Sequence, residues 1–457
     1  MFTNIDRERN HVDDTVEESA FCLQHKMKHD QNESGIEFGT KFGSIYSEMH
    51  ELRGVNEPMI TKKQSVMIQG IAVLLMMYHH FFLNPSELAL SYGNVELVKS
   101  TAWFGKICVG MFAFVSGYGI YYGLSALQNE KFLTVLRLSY RSILLRLLRL
   151  FGKYWYVLLV FKAIDFGIRK EPFYPVEFWK NFFAIDVSYN GTWWYMQQYV
   201  LMMLLVPLVH LLFELFGTKE RRIKSIFYGV VFGVGIVVCS LLWLKDPEGF
   251  LAFIHELRPS FLAIFFVGYL FSRFSVYKKI SEKLSIEKIS RDKISIEKLS
   301  IEKMSGILNA VIGLVLIAAM IGLRIWITPD PSFARYDFVI VPIFVTGVLL
   351  LFEQVKVLAA VSLFVGNYAT YMWLIHTFLF AYTEKLCMQY ISGFFLFYLV
   401  QVGITLCVAW LMKQGELVTV KKIVPYFRKK WKNKSHAEIT KNNLQNEKHS
   451  ATITTEK

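Results

Sequence analysis

The sequence predicts an all-α, polytopic integral membrane protein of about ten transmembrane helices, with both termini in the cytoplasm. The chain has 457 residues, of which 54% are hydrophobic, more than the roughly 45–50% that is usual for soluble domains. The apolar residues fall into blocks of about twenty, the length that carries a helix across a bilayer. Short charged stretches separate these blocks, and lysine and arginine concentrate in every second stretch.

Ten apolar blocks are expected to form the spans. The third and the sixth block are short. In chain order the predicted spans cover residues 65–83, 101–123, 148–164, 193–215, 226–244, 259–274, 307–327, 338–352, 358–382 and 393–412.

The basic residues predict the orientation. They are frequent before the first span, after the second, fourth and sixth spans, and in the tail, whereas the opposite loops hold fewer of them. Loops rich in lysine and arginine stay in the cytoplasm. The odd-numbered spans are therefore expected to run from inside to outside.

The chain divides into three parts. Residues 1–60 are polar and lack an apolar signal core, which indicates a cytoplasmic, disordered extension. Residues 61–412 hold the spans, and residues 413–457 form a basic cytoplasmic tail. Within the membrane domain, the cytoplasmic loop 277–305 contains a five-residue repeat. Five residues turn a helix by about 140°, so the repeat builds no single apolar face and favours a solvated spacer over a partner-binding helix.

Several classes of function are disfavoured. The net charge of +13 could suit a nucleic-acid partner, but the cations lie between apolar blocks, which argues against one. The five cysteines are scattered, without the spacing of a disulfide framework or a metal site. The catalytic and nucleotide-binding motifs of soluble enzymes are also missing from the sequence.

Two adjacent histidines lie in the first span, in the stretch LLMMYHHFF. From Gln69 to His80 is eleven residues, about three helical turns, so both side chains lie on one face within about 20°. A lipid-facing amide would be unsatisfied, so this face should point into the bundle. His79 is rotated by about 100° and is expected to lie at a helix contact or at the membrane interface.

Two features follow in the second and third spans. Gly117, Gly119 and Gly123 are small residues that allow close helix approach, and Gly119–Gly123 fits the small-xxx-small pattern. Arg146, Arg149 and Lys153 then form a basic stripe where the third span enters the membrane. Such a stripe suits lipid phosphates, and it equally suits a phosphorylated soluble ligand.

Further polar residues lie towards the outer side. Tyr195 belongs to an aromatic belt at the start of the fourth span, and Gln197 lies deeper. Arg258 precedes the sixth span, Arg324 lies in the seventh and His376 lies in the ninth. Ionisable groups at membrane depth are costly and therefore mark candidate functional sites.

Together these pieces resemble the acyltransferase 3 family of membrane O-acyltransferases. The resemblance covers about residues 60–412, and each motif is weak by itself, whereas their order is fairly specific. The stretches that carry it are IQGIAVLLMMYHHF, FAFVSGYGIYYG, LLRLLRLFGKY, WWYMQQYVL, FFVGYLFSR and NYATYMWLIHTF.

The resemblance implies an activity. Such proteins typically move an acyl group, often acetyl, from cytoplasmic acyl-CoA to a hydroxyl of an extracytoplasmic carbohydrate or envelope glycan. The family pairs a basic residue with a histidine eleven positions later, and these positions are Gln69 and His80 here. The glutamine departs from the pattern, and Arg146 and Arg149 are candidates to compensate for the missing cation.

A mechanism follows as a hypothesis. His80 is the expected base for the acceptor hydroxyl, by direct transfer or through an acyl-histidine intermediate. Arg146, Arg149 and Lys153 would hold the phosphates of acyl-CoA, which is a substrate and not a permanently bound cofactor. The thioester arm would pass Gln69.

Other partners and other functions stay open. Tyr195, Gln197, Arg258 and His376 are expected to bind the acceptor or the oxyanion. The partners are then membrane lipid, acyl-CoA and a glycan, in the plasma membrane. The alternative functions are a transporter or flippase for an envelope precursor, which midplane polar groups also suit, and a non-catalytic scaffold.

Overall fold

The structure is a computed structural model that describes residues 60–85, 88, 90–125, 127, 132–215, 259–284, 295–327 and 336–419. These residues are predominantly helical, and the bridge between Ser91 and Gly393 is isolated, so the predicted all-α class is confirmed. The helices are α1 Lys62–Phe82, α2 Val95–Gly105, α3 Ile107–Ser125, α4 Phe132–Gly167, α5 Pro175–Phe182, α6 Trp194–Leu215, α7 Pro259–Arg273, α8 Val276–Leu284, α9 Ser295–Ile327, α10 Asp337–Gln354, α11 Lys356–Gly366, α12 Ala369–Tyr390 and α13 Phe394–Val418.

Some predictions lie outside the described residues. They concern residues 1–59, the fifth span, the middle of the repeat loop and the tail beyond residue 419.

The protein is a multi-pass membrane protein. Among the described helices, six segments are long and apolar enough to cross a bilayer, α2 and α3 counting as one, and the pair α11–α12 raises the number to seven. The predicted third span lies inside α4, where charged residues recur, and the predicted sixth span is the 15-residue α7. One flank of α9 consists of exposed apolar residues, and only 6% of its apolar stretch is buried. This exposure is typical of a helix that faces lipid.

Helix α1 lies at the centre of the bundle and contacts α2, α3, α11, α12 and α13. It begins with a capping box, in which the Thr61 hydroxyl accepts a hydrogen bond from the Gln64 amide while the Gln64 side chain accepts one from the Thr61 amide. We call the end of the bundle where α1 begins the proximal side, and the end where it finishes the distal side. Predicted orientation makes the proximal side cytoplasmic.

Glycines mark the closest helix contacts, but not the ones that the small-xxx-small pattern predicts. A Cβ on Gly119 would meet nothing within 4 Å, and one on Gly123 would meet the Arg146 guanidinium. Instead, Gly117 of α3 lies against the Phe265 carbonyl of α7, and Gly268 of α7 lies against α3. The close approach expected at Gly117 is therefore confirmed, whereas the Gly119–Gly123 prediction was wrong because the helix face that meets α7 is a different one.

The predicted ninth span is also different from the structure. It consists of α11 and α12, which are bent by 71° at a break between them. At the break, the Lys413 ammonium donates to the Asn367 carbonyl over 3.1 Å, which satisfies a backbone group that a continuous helix would have used. Lys413 is available because α13 continues beyond the predicted end at residue 412 to Val418.

Candidate active site

A cavity of about 180 Å³ lies in the bundle beside α1. We call it the histidine cavity. Its walls come from α1, α3, α4, α6 and α12 and the turn before α6. The lining residues are Gln69, Met76, His80, Val109, Phe112, Ser116, Leu150, Thr192, Trp194, Tyr195, Tyr199, Ala369, Thr370 and Trp373.

Gln69 and His80 form one wall of this cavity. Their eleven-residue separation aligns them on α1, as the helical period requires, and Met76 lies between them on the same wall. The face that the sequence assigns to the bundle interior therefore lines an internal space.

His79 points elsewhere, as expected from its rotation. Its Nδ1 lies 2.8 Å from the Ala102 carbonyl at the end of α2, and its ring packs on Trp103 at 5.5 Å between ring centres. A carbonyl only accepts, so Nδ1 carries the proton. His79 thus makes a contact between α1 and α2.

His376 lies beside His80, with 5.2 Å between the ring centres. Its Nδ1 donates to the Trp373 carbonyl over 2.8 Å. In a neutral imidazole this leaves a lone pair on Nε2, and that buried atom has no hydrogen-bond partner among the described residues. The structure therefore brings together two histidines that are 296 positions apart in the chain.

Of the other residues predicted on the acceptor side, some line the cavity and some do not. Tyr195 lines the cavity, and its buried hydroxyl has no hydrogen-bond partner within the described ranges. Gln197 does not line it and donates instead to the Ile185 carbonyl over 2.8 Å. Arg258 lies outside the described residues.

The predicted basic stripe runs along α4 at the proximal side. Arg146 lies beside Gly123 and interacts with Tyr199, which lines the cavity. Lys153 lies two turns further along the helix, 5.6 Å from the centre of the Tyr371 ring. Arg149 is exposed between them.

Two further residues, which the sequence did not indicate, lie beside the basic stripe. Together with Arg146, Arg149 and Lys153 we call them the proximal cluster. Lys413 and Glu416, one turn apart on the extended α13, interact electrostatically with Lys153. The Tyr371 hydroxyl donates to the Glu416 carboxylate over 2.6 Å. Reading α13 as continuing past residue 412 would have brought both residues onto one helix.

Arg324 has a structural role. Its guanidinium holds the Asp337 carboxylate at 2.8 and 3.1 Å and also donates to the carbonyls of Trp103 and Phe104. Both partners are buried. This pair ties α9 and α10 to the junction of α2 and α3 on the distal side.

One comparison with known protein families gives a match. A family model described as an acyltransferase domain, Acyl_transf_3, matches residues 67–413, more than half of the chain. The match begins inside α1 and ends inside α13. No curated protein and no solved structure matches the chain.

Proposed function

The chain belongs to the acyltransferase 3 family, and we propose that it transfers an acyl group, most simply acetyl, from acyl-CoA to a hydroxyl of an envelope carbohydrate. The donor binds from the proximal, cytoplasmic side of the plasma membrane, and the acceptor binds from the distal side. The observation that supports this proposal most directly is the shared cavity wall of Gln69 and His80. The His80 imidazole and the Gln69 amide both line the same cavity inside the bundle.

His80 acts as the general base. It removes the proton of the acceptor hydroxyl while that oxygen attacks the thioester carbonyl. The tetrahedral intermediate then collapses, the C–S bond breaks, and the leaving CoA thiolate takes the proton from the His80 imidazolium. A histidine suits both transfers because its ordinary pKa lies near neutrality.

Tyr195 is the best-placed donor for the oxyanion. Its hydroxyl lines the same cavity as His80 and has no competing hydrogen-bond partner among the described residues. A donor that is already in position stabilises the charge that develops on the carbonyl oxygen without reorganisation.

His376 orients the base. Because its Nδ1 donates to the Trp373 carbonyl, its Nε2 can only accept. It therefore cannot donate to an oxyanion in this tautomer, but it can accept a hydrogen bond from the N–H of the neighbouring His80. Such a bond would leave the other nitrogen of His80 free to act as the base.

The proximal cluster binds the donor. Arg146 and Lys153 flank Leu150, which lines the histidine cavity, and Lys413 adds a further cation. Cations at this end can hold the phosphates of CoA. The pantetheine arm would then enter the cavity past Gln69, which offers an amide and not the family's basic side chain.

The test compares His80→Ala with His79→Ala. Membrane vesicles that contain each variant and the native acceptor are given radiolabelled acetyl-CoA, and label in the glycan fraction is measured per amount of folded protein. We expect His80→Ala to lower the rate by about 10²–10⁴-fold, the usual contribution of a general base. His79→Ala removes only a helix contact and keeps most of the rate.

The same assay separates the role of His376. His376→Gln keeps an acceptor near the Nε2 position and should retain more activity than His376→Leu. An inactive His79→Ala combined with an active His80→Ala would refute the assignment of the base. Equal loss in both His376 variants would refute the orienting role.

A further inference from the structure

A second, larger cavity opens on the distal side, with a volume of about 560 Å³. We call it the distal cavity. It is formed by the end of α4, the segment around α5 and the distal half of α12. None of the residues proposed above for catalysis lines it.

One wall of the distal cavity is a cluster of ion pairs and hydrogen bonds centred on Asp165. This carboxylate is only 4% exposed, yet it receives three partners: the Lys162 ammonium at 2.9 Å, the Arg169 guanidinium at 3.2 Å and the Tyr382 hydroxyl at 3.1 Å. A buried charge with several partners holds its neighbours in fixed positions. The polar groups of this wall are therefore preorganised.

Carboxylates outnumber cations by one in the lining of the distal cavity. Two cations and three carboxylates line it, and Arg169 bridges Asp165 and Glu171, the latter at 2.8 Å. No surplus of positive charge remains to hold phosphates. The proximal cluster, with Arg149, Lys153 and Lys413, does have a surplus of positive charge.

Tyrosine rings supply the apolar surface of the distal cavity. Tyr174, Tyr189 and Tyr382 all line it, and Lys162 lies 3.9 Å above the centre of the Tyr189 ring. Partial burial, followed by the charges of Glu177 and Asp165, raises the pKa of the Tyr189 phenol. Tyr189 therefore stays protonated near neutral pH and can donate a hydrogen bond as well as pack by its ring.

A thin partition separates the distal cavity from the histidine cavity. The Asn190 amide, on the distal side, donates to the Thr377 hydroxyl over 2.7 Å, and its oxygen accepts from the Thr192 hydroxyl over 2.7 Å. Thr192 lines the histidine cavity, whereas Asn190 and Thr377 line the distal one. Thr377 directly follows His376 in the chain. Asn190 thus connects a lining residue of one cavity with a lining residue of the other.

From this arrangement we propose that the distal cavity is the acceptor subsite and binds an uncharged sugar ring, one hydroxyl of which reaches His80 past Asn190 and Thr377. This inference rests on the proposed function. Aromatic rings pack on the C–H faces of a sugar, and the fixed carboxylate, hydroxyl and amide groups bind its hydroxyls. Because the lining carries one more carboxylate than cation, it disfavours a polyanion such as CoA and suits an uncharged ring.

The test measures binding without acyl-CoA, so that it does not depend on turnover. The full chain is placed in lipid nanodiscs, and saturation-transfer NMR records the binding of methyl glycosides of glucose, N-acetylglucosamine and glucuronic acid. We expect at least one of the two neutral glycosides to bind, and more tightly than the glucuronide. The double variant Tyr174→Ala/Tyr189→Ala should raise the Kd of the neutral glycoside that binds by about tenfold or more, since two ring contacts are lost.

Three controls make the result specific. Tyr390→Ala removes an exposed distal tyrosine that does not line the cavity, and it should leave Kd unchanged. His79→Ala, which alters only a contact between α1 and α2, should also keep glycoside binding. Adenosine 3′,5′-bisphosphate, which carries the nucleotide phosphates of CoA, should not displace the glycoside.

Contrary outcomes are clear. The proposal is overturned if neither neutral glycoside binds the wild-type chain, if the double tyrosine variant binds as the wild type does, or if the bisphosphate displaces the sugar. Glycoside binding that follows these expectations in a chain without acyl transfer would instead reject the proposed function and leave the sugar site standing.

Discussion

At the scale of single residues, one position along a helix separates two different roles. His79 and His80 are neighbours in the chain, but the rotation of about 100° per residue sends their rings to different places. His79 contacts the end of α2, whereas His80 faces the cavity that Gln69 also lines. The distinction follows from helical geometry and the position of α1 at the centre of the bundle.

The proximal cations support a prediction about the donor. Lys153→Gln combined with Lys413→Gln should raise the KM for acyl-CoA by about tenfold and leave kcat nearly unchanged, because contacts to the CoA phosphates are the same in ground and transition states. The effect should shrink as salt is added, since salt screens charges. Initial rates over a range of acyl-CoA concentrations measure it.

The matched control is Arg137→Gln. Arg137 is exposed and lies on the same helix, α4, nearer its proximal end. It should leave KM unchanged. If the lysine pair and the control behave alike, the donor phosphates bind elsewhere.

At the scale of the helix, close contacts through glycine position the cavity wall. Gly70 of α1 lies against the Ser362 carbonyl of α11, and Gly366 of α11 lies against the Val66 carbonyl of α1. This contact holds the short α11 against the proximal half of α1. The break that follows lets α12 begin beside the histidine cavity, where Ala369 and Thr370 line it.

Gly70→Ala should therefore destabilise the protein. An added Cβ would collide with the Ser362 carbonyl, and backbone cannot move aside as a flexible side chain can. We expect a loss of about 1–3 kcal/mol, typical of overpacking, seen as a lower thermal midpoint in detergent.

Gly119→Ala is the control for this substitution. Gly119 is also inside a helix, but a Cβ there meets no atom within 4 Å. It should be neutral or stabilising by up to about 1 kcal/mol, because alanine favours the helix. Equal midpoints for the two variants would show that the contact between α1 and α11 is looser than described.

At the scale of the whole molecule, the buried pair Arg324–Asp337 connects separate parts of the bundle. Removing one partner leaves an uncompensated buried charge, so Asp337→Asn should cost about 3–5 kcal/mol. Denaturation midpoints in detergent would record it. The double variant Arg324→Met/Asp337→Leu should recover part of this loss, because it leaves no charge behind.

An exposed ion pair provides the comparison. Glu171 pairs with Arg169, and their side chains are 40% and 48% exposed. Glu171→Gln should change stability by only about 0–1 kcal/mol. A similarly small effect of Asp337→Asn would mean that water reaches Arg324.

The sequence by itself determined the helical membrane class, most of the spans, the family and the shared face of Gln69 and His80. These features depend on local periods and composition, because a helix repeats its geometry whatever surrounds it. Only the tertiary structure decided what meets that face. It placed His376 beside His80, turned Gln197 to the Ile185 carbonyl and broke the predicted ninth span.

The tertiary structure also decided which further cation joins the proximal side and which glycines lie at the closest helix contacts. Lys413 joins Lys153 at the proximal side, and of the candidate glycines Gly117 and Gly119, only Gly117 meets α7. Each of these contacts joins helices that are far apart in the chain, and it depends on their relative rotation and depth. Local periodicity holds no information about those two quantities, which are set by the packing of all the helices together.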